Sequence, residues 1–226
     1  METGYMEKIS SVHGLSGKET TSLFYSLSSN RFIIGYQTGL IEIIDENGNI
    51  TVANDIERLD ITGQKQINHI TEYNGILYLS TPFGIVEYDI SNLNFGDTFY
   101  IDENSGPVFV NEISIYNETI YAVTQKGIFS ADINNPNLVD YNNWLQPEED
   151  LLGNFTSITV LGDAIFTSSS SLLYQLVGVD NLVQRRNYNS SILKLRSNEL
   201  NLLLQSIHLY LTLDRNLNLI YEAIAS

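Results

Sequence analysis

Cysteine is absent from this 226-residue sequence, which excludes disulfide bonds, thiolate catalysis and cysteine-based zinc sites. Basic residues are scarce: 11 lysines and arginines stand against 27 aspartates and glutamates, giving a net charge of −16. An acidic surface repels phosphate backbones and anionic bilayers, so we expect neither nucleic-acid binding nor direct membrane insertion. No stretch reaches the ~18 consecutive apolar residues of a membrane-spanning helix.

A secretory signal is also missing, because residues 1–5 offer neither a basic region nor an apolar run. This leaves two readings open: a cytoplasmic protein, or an exported protein whose signal segment lies outside the sequence. The lack of cysteine does not decide between them, since many exported bacterial proteins also lack it.

Recognisable catalytic motifs do not occur. The histidines His13, His69 and His208 lie far apart in the sequence, and we expect the last two to be structural residues within strands. Neither a GxSxG motif nor a P-loop is present. Glycosidase carboxylates are defined by their separation in space, and no such pair stands out. We therefore predict no catalytic residues and no cofactor, with a propeller glycosidase or lyase as a remaining alternative.

One segment resembles a metal site. Asp45–Asn49 places side-chain oxygens like the start of a calcium loop, but Ile50 and Ile56 replace the glycine and the final carboxylate. A β-hairpin explains the segment better, so we predict no metal site.

What the sequence does contain is an internal repeat. Apolar residues make up 43% of the chain, and two apolar strands joined by a short polar link recur along it. The residues that open the second strand of each pair are spaced 45, 43, 44 and 37 residues apart: Leu40, Ile85, Ile128, Leu172 and Leu209. Propeller blades repeat at about 40–45 residues, so the spacing predicts an all-β propeller of about five four-stranded blades.

Turn residues with nearly the same period support this interpretation. They are Asn30, Asn74, Asn117, Asp163 and Asn198, and each follows an apolar segment. Middle strands such as 76–79 are apolar at consecutive positions, as expected for strands covered on both faces. By periodicity alone, residues 202–213 are also compatible with a buried helix. The neighbouring Asn and Ser residues favour strands there.

The predicted blades cover residues 19–54, 66–101, 109–145, 154–188 and 191–224, and the fourth strand of the third is poor. Residues 5–12 read as the outer strand of a preceding blade. The units either close as a small ring or form an arc of a larger propeller, which we favour. An open arc leaves strand edges free to form a homodimer with a second copy.

Potential binding residues follow from this topology, because the links between second and third strands share one face of a propeller. The candidate residues are Tyr36, Gln37, Thr81, Phe83, Gln125 and Lys126. Exposed Tyr36 and Phe83 would stack on a sugar or peptide, and Lys126 would meet an anion. The alternative is that the same residues only form ordinary turns and bind no ligand.

Four segments together carry a resemblance to a known family: VHGLSGKETTSLFYS, IGYQTGL, INHITEYNGILYLSTPFGIVEYDI and FGDTFYI. The GLS and Gly-containing links are also typical of two-component-regulator propellers. The longer match, over roughly residues 8–145, resembles the N-terminal propeller of PorZ-like proteins of type IX secretion.

The resemblance implies a non-enzymatic, extracytoplasmic interaction module, in the periplasm or at the cell surface. PorZ-like proteins belong to a complex that attaches secreted cargo to lipopolysaccharide, so the implied partners are proteins of that complex or a glycan. The absent signal then fits a piece of a longer chain. A periplasmic glycan-sensing propeller of a two-component regulator is the alternative.

Overall fold

The protein is a five-bladed antiparallel β-propeller in a computed structural model that describes residues 10–102, 106–178 and 180–224. Each blade is one meandering sheet whose strands pair in chain order. Blade 1 contains β1 (Thr20–Ser26), β2 (Arg31–Tyr36), β3 (Ile41–Ile44) and β4 (Ile50–Ala53). Blade 2 contains β5 (His69–Tyr73), β6 (Ile76–Thr81), β7 (Gly84–Asp89) and β8 (Asn94–Phe99).

The remaining blades follow the same order. Blade 3 contains β9 (Val110–Tyr116), β10 (Thr119–Thr124) and β11 (Ile128–Asp132). Blade 4 contains β12 (Ser157–Leu161), β13 (Ala164–Ser169), β14 (Leu172–Val177) and β15 (Asn181–Asn187). Blade 5 contains β16 (Ile192–Ser197), β17 (Leu202–Ser206), β18 (Leu209–Leu213) and β19 (Leu219–Ile224). The helix considered for residues 202–213 is therefore wrong.

Short helices lie outside the sheets. The helix α1 (Asp55–Arg58) connects blades 1 and 2, and 3-10 helices span Ser11–His13, Tyr141–Asn143 and Glu149–Leu151. The outer strand predicted for residues 5–12 falls largely outside the described residues. Its described end is not extended, because Ser11 and Val12 belong to the first 3-10 helix.

Blade 3 differs from the predicted four strands. Its sheet has three strands among the described residues, and the fourth position is replaced by single bridges from Ser130 to Leu145 and from Gly127 to Leu152. Asp140 accepts a hydrogen bond from the Asn142 amide and so starts a 3-10 turn where a strand was expected.

The turns between first and second strands confirm most of the predicted periodicity. Asn30, Asn74 and Asn117 adopt positive φ angles of 54°, 51° and 46°. Asn198 instead accepts hydrogen bonds from the Leu200 and Asn201 amides. His208 lies in the turn between β17 and β18 and not in a strand as expected.

The core lies between the blades. The cluster between blades 1 and 2 contains Ile33, Ile41, Leu77 and Leu79, all almost fully buried. Burial of such side chains contributes about 1.5–3 kcal/mol each and stacks the blades face to face. The first strands of successive blades contact one another, β1 with β5, β5 with β9, β9 with β12 and β12 with β16. These five inner strands therefore line the propeller axis.

Candidate functional site

The predicted binding face lies at the links between second and third strands, and its two aromatic residues are buried. Tyr36 and Phe83 are only 1% and 5% exposed. The Tyr36 ring packs with Leu40 and Ile44, and its hydroxyl donates to buried Glu42. The expected exposure of both rings is therefore wrong, because the links turn them into the core.

A threonine hydroxyl organises two of these links. Thr81 donates to the Gly84 carbonyl at 2.9 Å and accepts from the Phe83 amide at 3.3 Å. Thr124 repeats this arrangement with the Gly127 carbonyl at 2.8 Å and the Lys126 amide at 2.9 Å. Thr81 is fully buried, so its hydroxyl serves the turn.

Three of the six predicted residues keep access to solvent. Gln37 is half-buried, whereas Gln125 and Lys126 are exposed. The Lys126 ammonium forms an ion pair with Asp102, which reduces its charge available to an anion. Binding of a partner by these three residues stays a prediction.

A second feature, which sequence reasoning missed, begins with a hydrogen bond that recurs from blade to blade at the start of the inner strands. One side chain per blade donates to a backbone carbonyl of the next blade. The four pairs are Thr21 to Ile67, Asn68 to Val110, Asn111 to Phe155 and Thr156 to Ile192, at 2.8, 2.7, 2.7 and 3.3 Å. Each acceptor immediately precedes the next donor, so the series advances one blade at a time. The fifth position is Leu193, whose hydrocarbon side chain has no donor.

The residues that follow these positions converge near the axis. We call His69, Glu112, Ser157, Lys194 and Arg196 the polar centre. Glu112 is fully buried and lies 3.2 Å from His69 Nε2 and 3.8 Å from Lys194 Nζ. It also accepts hydrogen bonds from Ser157 Oγ, from Arg196 Nη1 and, at 3.0 Å, from the Ile158 amide. One carboxylate thus joins residues of blades 2, 3, 4 and 5.

Burial and charge set the protonation of this centre. Burial lowers the pKa of His69 to about 4, with Glu112 opposing the shift and Arg196 and Lys194 adding to it. His69 is therefore neutral at pH 7. Burial alone would raise the pKa of Glu112, but its neighbours His69, Lys194 and Arg196 hold it below the ordinary value. The carboxylate is therefore ionised and paired.

This arrangement is suited to holding blades together and not to proton transfer. Both oxygens of Glu112 are engaged by protein groups, and its side chain has no exposed surface. Nδ1 of His69 lies 3.2 Å from Thr71 Oγ1 and 3.5 Å from the Ile113 amide. Neither group has a free position directed at a ligand.

A cavity of about 580 Å³ adjoins the polar centre and is lined by residues of all five inner strands. It extends from His69, at the start of β5, to Asn117 and Glu118 in the β9–β10 hairpin. Leu23 and Phe24 contribute apolar wall. The cavity therefore reaches the end of the propeller opposite the predicted links. Only stacking of the blades brings these residues together, so no sequence pattern marked them.

Within residues 10–102, 106–178 and 180–224, no three His, Cys, Asp or Glu side chains are grouped as metal ligands. In the same ranges, no helix combines the length and apolarity needed to span a bilayer.

The sequence matches one protein family, described as the N-terminal β-propeller domain of PorZ, TSS9, over residues 2–145. No curated protein sequence matches the chain.

Solved structures share the fold at low sequence identity. PorZ of Porphyromonas gingivalis, described as an essential bacterial surface component of the type IX secretion system, superposes with a TM-score of 0.78 at 17% identity. The extracellular domain of a hybrid two-component system of B. thetaiotaomicron gives 0.72 at 16% identity, and the computationally designed protein Ika8 gives 0.61 at 12%.

Each match covers most of this chain but a smaller share of the other structure. They cover 93%, 95% and 90% of this chain, but 28%, 29% and 61% of the solved chains of PorZ, the extracellular regulator domain and Ika8. This chain thus spans less than a third of the length of the PorZ chain and of the extracellular regulator domain.

Proposed function

Since this chain belongs to the family of PorZ N-terminal β-propeller domains, we propose that it is a non-catalytic interaction module of a protein that serves type IX secretion. The observation that carries the proposal is the family match over residues 2–145. The buried carboxylate of Glu112 is fully paired within the protein and is therefore not available for hydrolysis.

An extracytoplasmic position is part of the proposal. It is supported by PorZ, a bacterial surface component, and by the regulator neighbours, which are extracellular domains. We further propose that its partners are proteins of a surface attachment complex, or a glycan, and that it contributes to attachment of cargo to lipopolysaccharide. Gln37, Gln125 and Lys126 are the accessible candidates on the link face.

Self-association is a further part of the proposal, and the free surfaces are sheet faces more than strand edges. Leu23, Tyr25 and Phe32 share an exposed face of blade 1. Leu203 and Tyr210 are exposed on the outward face of blade 5 although they lie in its middle strands. Middle strands of a propeller are normally covered on both faces, which supports an arc that pairs with a second copy.

A sensory role is the second candidate. The extracellular domain of the hybrid two-component system matches 95% of this chain, with a TM-score of 0.72. A glycan-sensing propeller would be followed in its gene by a transmembrane helix and a signalling domain. The gene structure downstream of residue 226 therefore discriminates between the two candidates.

The test is deletion of the gene in a bacterium that uses type IX secretion, followed by complementation. We expect cargo to be lost from the cell surface and restored by the wild-type gene. A matched complementation with Gln125→Ala and Lys126→Ala tests the link face, with exposed Arg185→Ala on β15 as the control. Normal cargo display in the deletion strain would contradict the proposed function.

A further inference from the structure

The cavity beside the polar centre has the size and lining of a ligand site. Its volume of about 580 Å³ lies within the roughly 300–1,000 Å³ range of small-ligand pockets. Leu23, Phe24 and Val160 give it apolar wall, while Ser114 and Arg196 give it polar groups. A ligand that fits must therefore combine apolar parts with at least one polar end.

Arg196 is the group that defines the polar end. Its Nη1 atom is used by Glu112 and by the Leu195 carbonyl, while Nε and Nη2 have no acceptor among the described residues. Its side chain is 49% exposed and lines the cavity. A guanidinium edge with two free N–H groups matches the two oxygens of a carboxylate or phosphate.

The charge around Arg196 favours an anion with only one negative group. Lys194 and Arg196 carry two positive charges, and Glu112 neutralises one of them, with His69 neutral. Two further carboxylates line the cavity, those of Glu72 in β5 and Glu118 in the β9–β10 hairpin. These carboxylates would repel a second negative charge on the ligand.

The strand edges favour a peptide as the body of that ligand. The first strand of every blade is the end strand of its sheet, so its backbone N–H and C=O groups on the axis side take no part in the ladder. Some of them already bond to side chains of neighbouring blades, namely the Ile113 and Ile158 amides and the Ile113 and Val160 carbonyls. An extended peptide would use the groups that stay free, and its side chains would meet the apolar wall. A sugar offers neither the regular backbone pattern nor the apolar side chains.

We propose that the cavity binds the C-terminal carboxylate of an extended, largely apolar peptide, with Arg196 as the carboxylate-binding residue. This deepens the proposed function, since it names a ligand class for the same interaction module. It adds a binding position at the propeller end opposite the predicted links. The proposal predicts that neutralising the peptide terminus weakens binding.

The test is fluorescence polarisation with fluorescein-labelled tetrapeptides of Val, Leu and Phe, made either with a free C-terminus or as the C-terminal amide. We expect the free acids to bind about tenfold or more tightly than the amides, as loss of a charge-assisted hydrogen bond predicts. Equal affinity of acid and amide, or no binding at about 1 mM, would overturn the proposal. Glucose 1-phosphate binding as tightly as the acids would also overturn it.

Variants locate the binding position. Arg196→Gln is expected to abolish the preference for the free acid, whereas Arg185→Gln, which removes an exposed arginine paired with Gln175, is expected to keep it. Ser114→Tyr fills the cavity without changing the polar centre and is expected to weaken binding by about tenfold. If Arg196→Gln does not fold, the variant Ser114→Tyr tests the position of the site. Unchanged peptide binding by Ser114→Tyr would show that the peptide does not bind in the cavity. Normal surface display by a chain that binds no peptide would overturn this inference alone.

Discussion

Glu112 shows how one buried charge is tolerated near the axis of a propeller. Its carboxylate would be costly to bury alone, but cations and N–H and O–H donors from three other blades surround it. Arg196 and Lys194 remain partly exposed, so each is solvated on its outer side. The ion pair between Arg196 and Glu112 therefore contributes to stability, and the net charge near the axis stays small.

We predict that Glu112→Gln destabilises the protein by roughly 2 kcal/mol, since the amide keeps the shape but loses charge-assisted hydrogen bonds. The loss stays below that of a fully buried ion pair, because Arg196 and Lys194 can turn towards solvent. Urea unfolding followed by circular dichroism measures it. Glu118→Gln, an exposed neighbour in the hairpin after β9, is the matched control with a change within about 0.5 kcal/mol.

His69 predicts how stability depends on pH. Its pKa is about 4 in the folded chain against 6.5 for the free side chain, so below pH 6.5 the unfolded state binds a proton that the folded state does not. Stability from this residue is therefore fully present above pH 6.5 and is lost as pH falls towards 4. We expect the urea midpoint to fall across this window.

The variant His69→Gln isolates this contribution, because its amide can still donate to Glu112 but does not titrate. Its urea midpoint is expected to change less between pH 6.5 and 4.5 than that of the wild type. Identical pH dependence of the two proteins would show that His69 is not the titrating group. Asp45 and Asp214 in the hairpin turns have lowered pKa values, so they contribute only at lower pH.

At the scale of elements, the repeat spacing and the turn residues were sufficient to place most strands. The third strands begin within one residue of Leu40, Ile85, Ile128, Leu172 and Leu209. Strand formation is local here, because each hairpin pairs segments only a few residues apart. The missing fourth strand of blade 3 escaped this reasoning, since Trp144 is buried without belonging to a ladder and its indole donates to the Leu138 carbonyl.

The segment that resembles a calcium loop is also organised by residues that lie close together in the sequence. Asp45 Oδ1 accepts hydrogen bonds from the Asn47 and Asn49 amides at 2.9 and 2.8 Å. Asp214 repeats this pattern with Asn216 and Asn218 in blade 5. The carboxylates thus serve the hairpin turns, as the sequence interpretation had it.

Glycine in the links gives a prediction at this scale. Gly84 has a φ of +148°, and a Cβ there would lie 2.4 Å from the Phe99 carbonyl oxygen. Gly75 also has a positive φ, +80°, but its Cβ would meet no atom within 4 Å. We expect Gly84→Ala to cost about 2–3 kcal/mol and Gly75→Ala about 1 kcal/mol.

Thermal unfolding of the two variants measures this difference. Since both positions have positive φ, Gly75→Ala controls for backbone strain alone. Equal losses in the two variants would show that the close approach of β8 to the link does not matter.

At the scale of the molecule, the uncovered faces of blades 1 and 5 predict self-association. We expect light scattering to give about twice the mass of 25.5 kDa for the chain. Leu203→Asp places a charge on the outward face of blade 5 and is expected to yield a monomer, whereas Val177→Asp changes an exposed apolar residue at the end of β14 and is expected to remain a dimer. A wild-type monomer at all concentrations would contradict the homodimer.

The sequence by itself determined the all-β class, the repeat, the turns and the family, because these depend on neighbours along the chain. The tertiary structure decided which side chains face solvent: it buried Tyr36 and Phe83, and it left the faces of blades 1 and 5 exposed. It also brought together His69, Glu112 and Arg196. Such contacts join residues more than 40 positions apart, and only the stacking of blades around an axis places them within hydrogen-bonding distance.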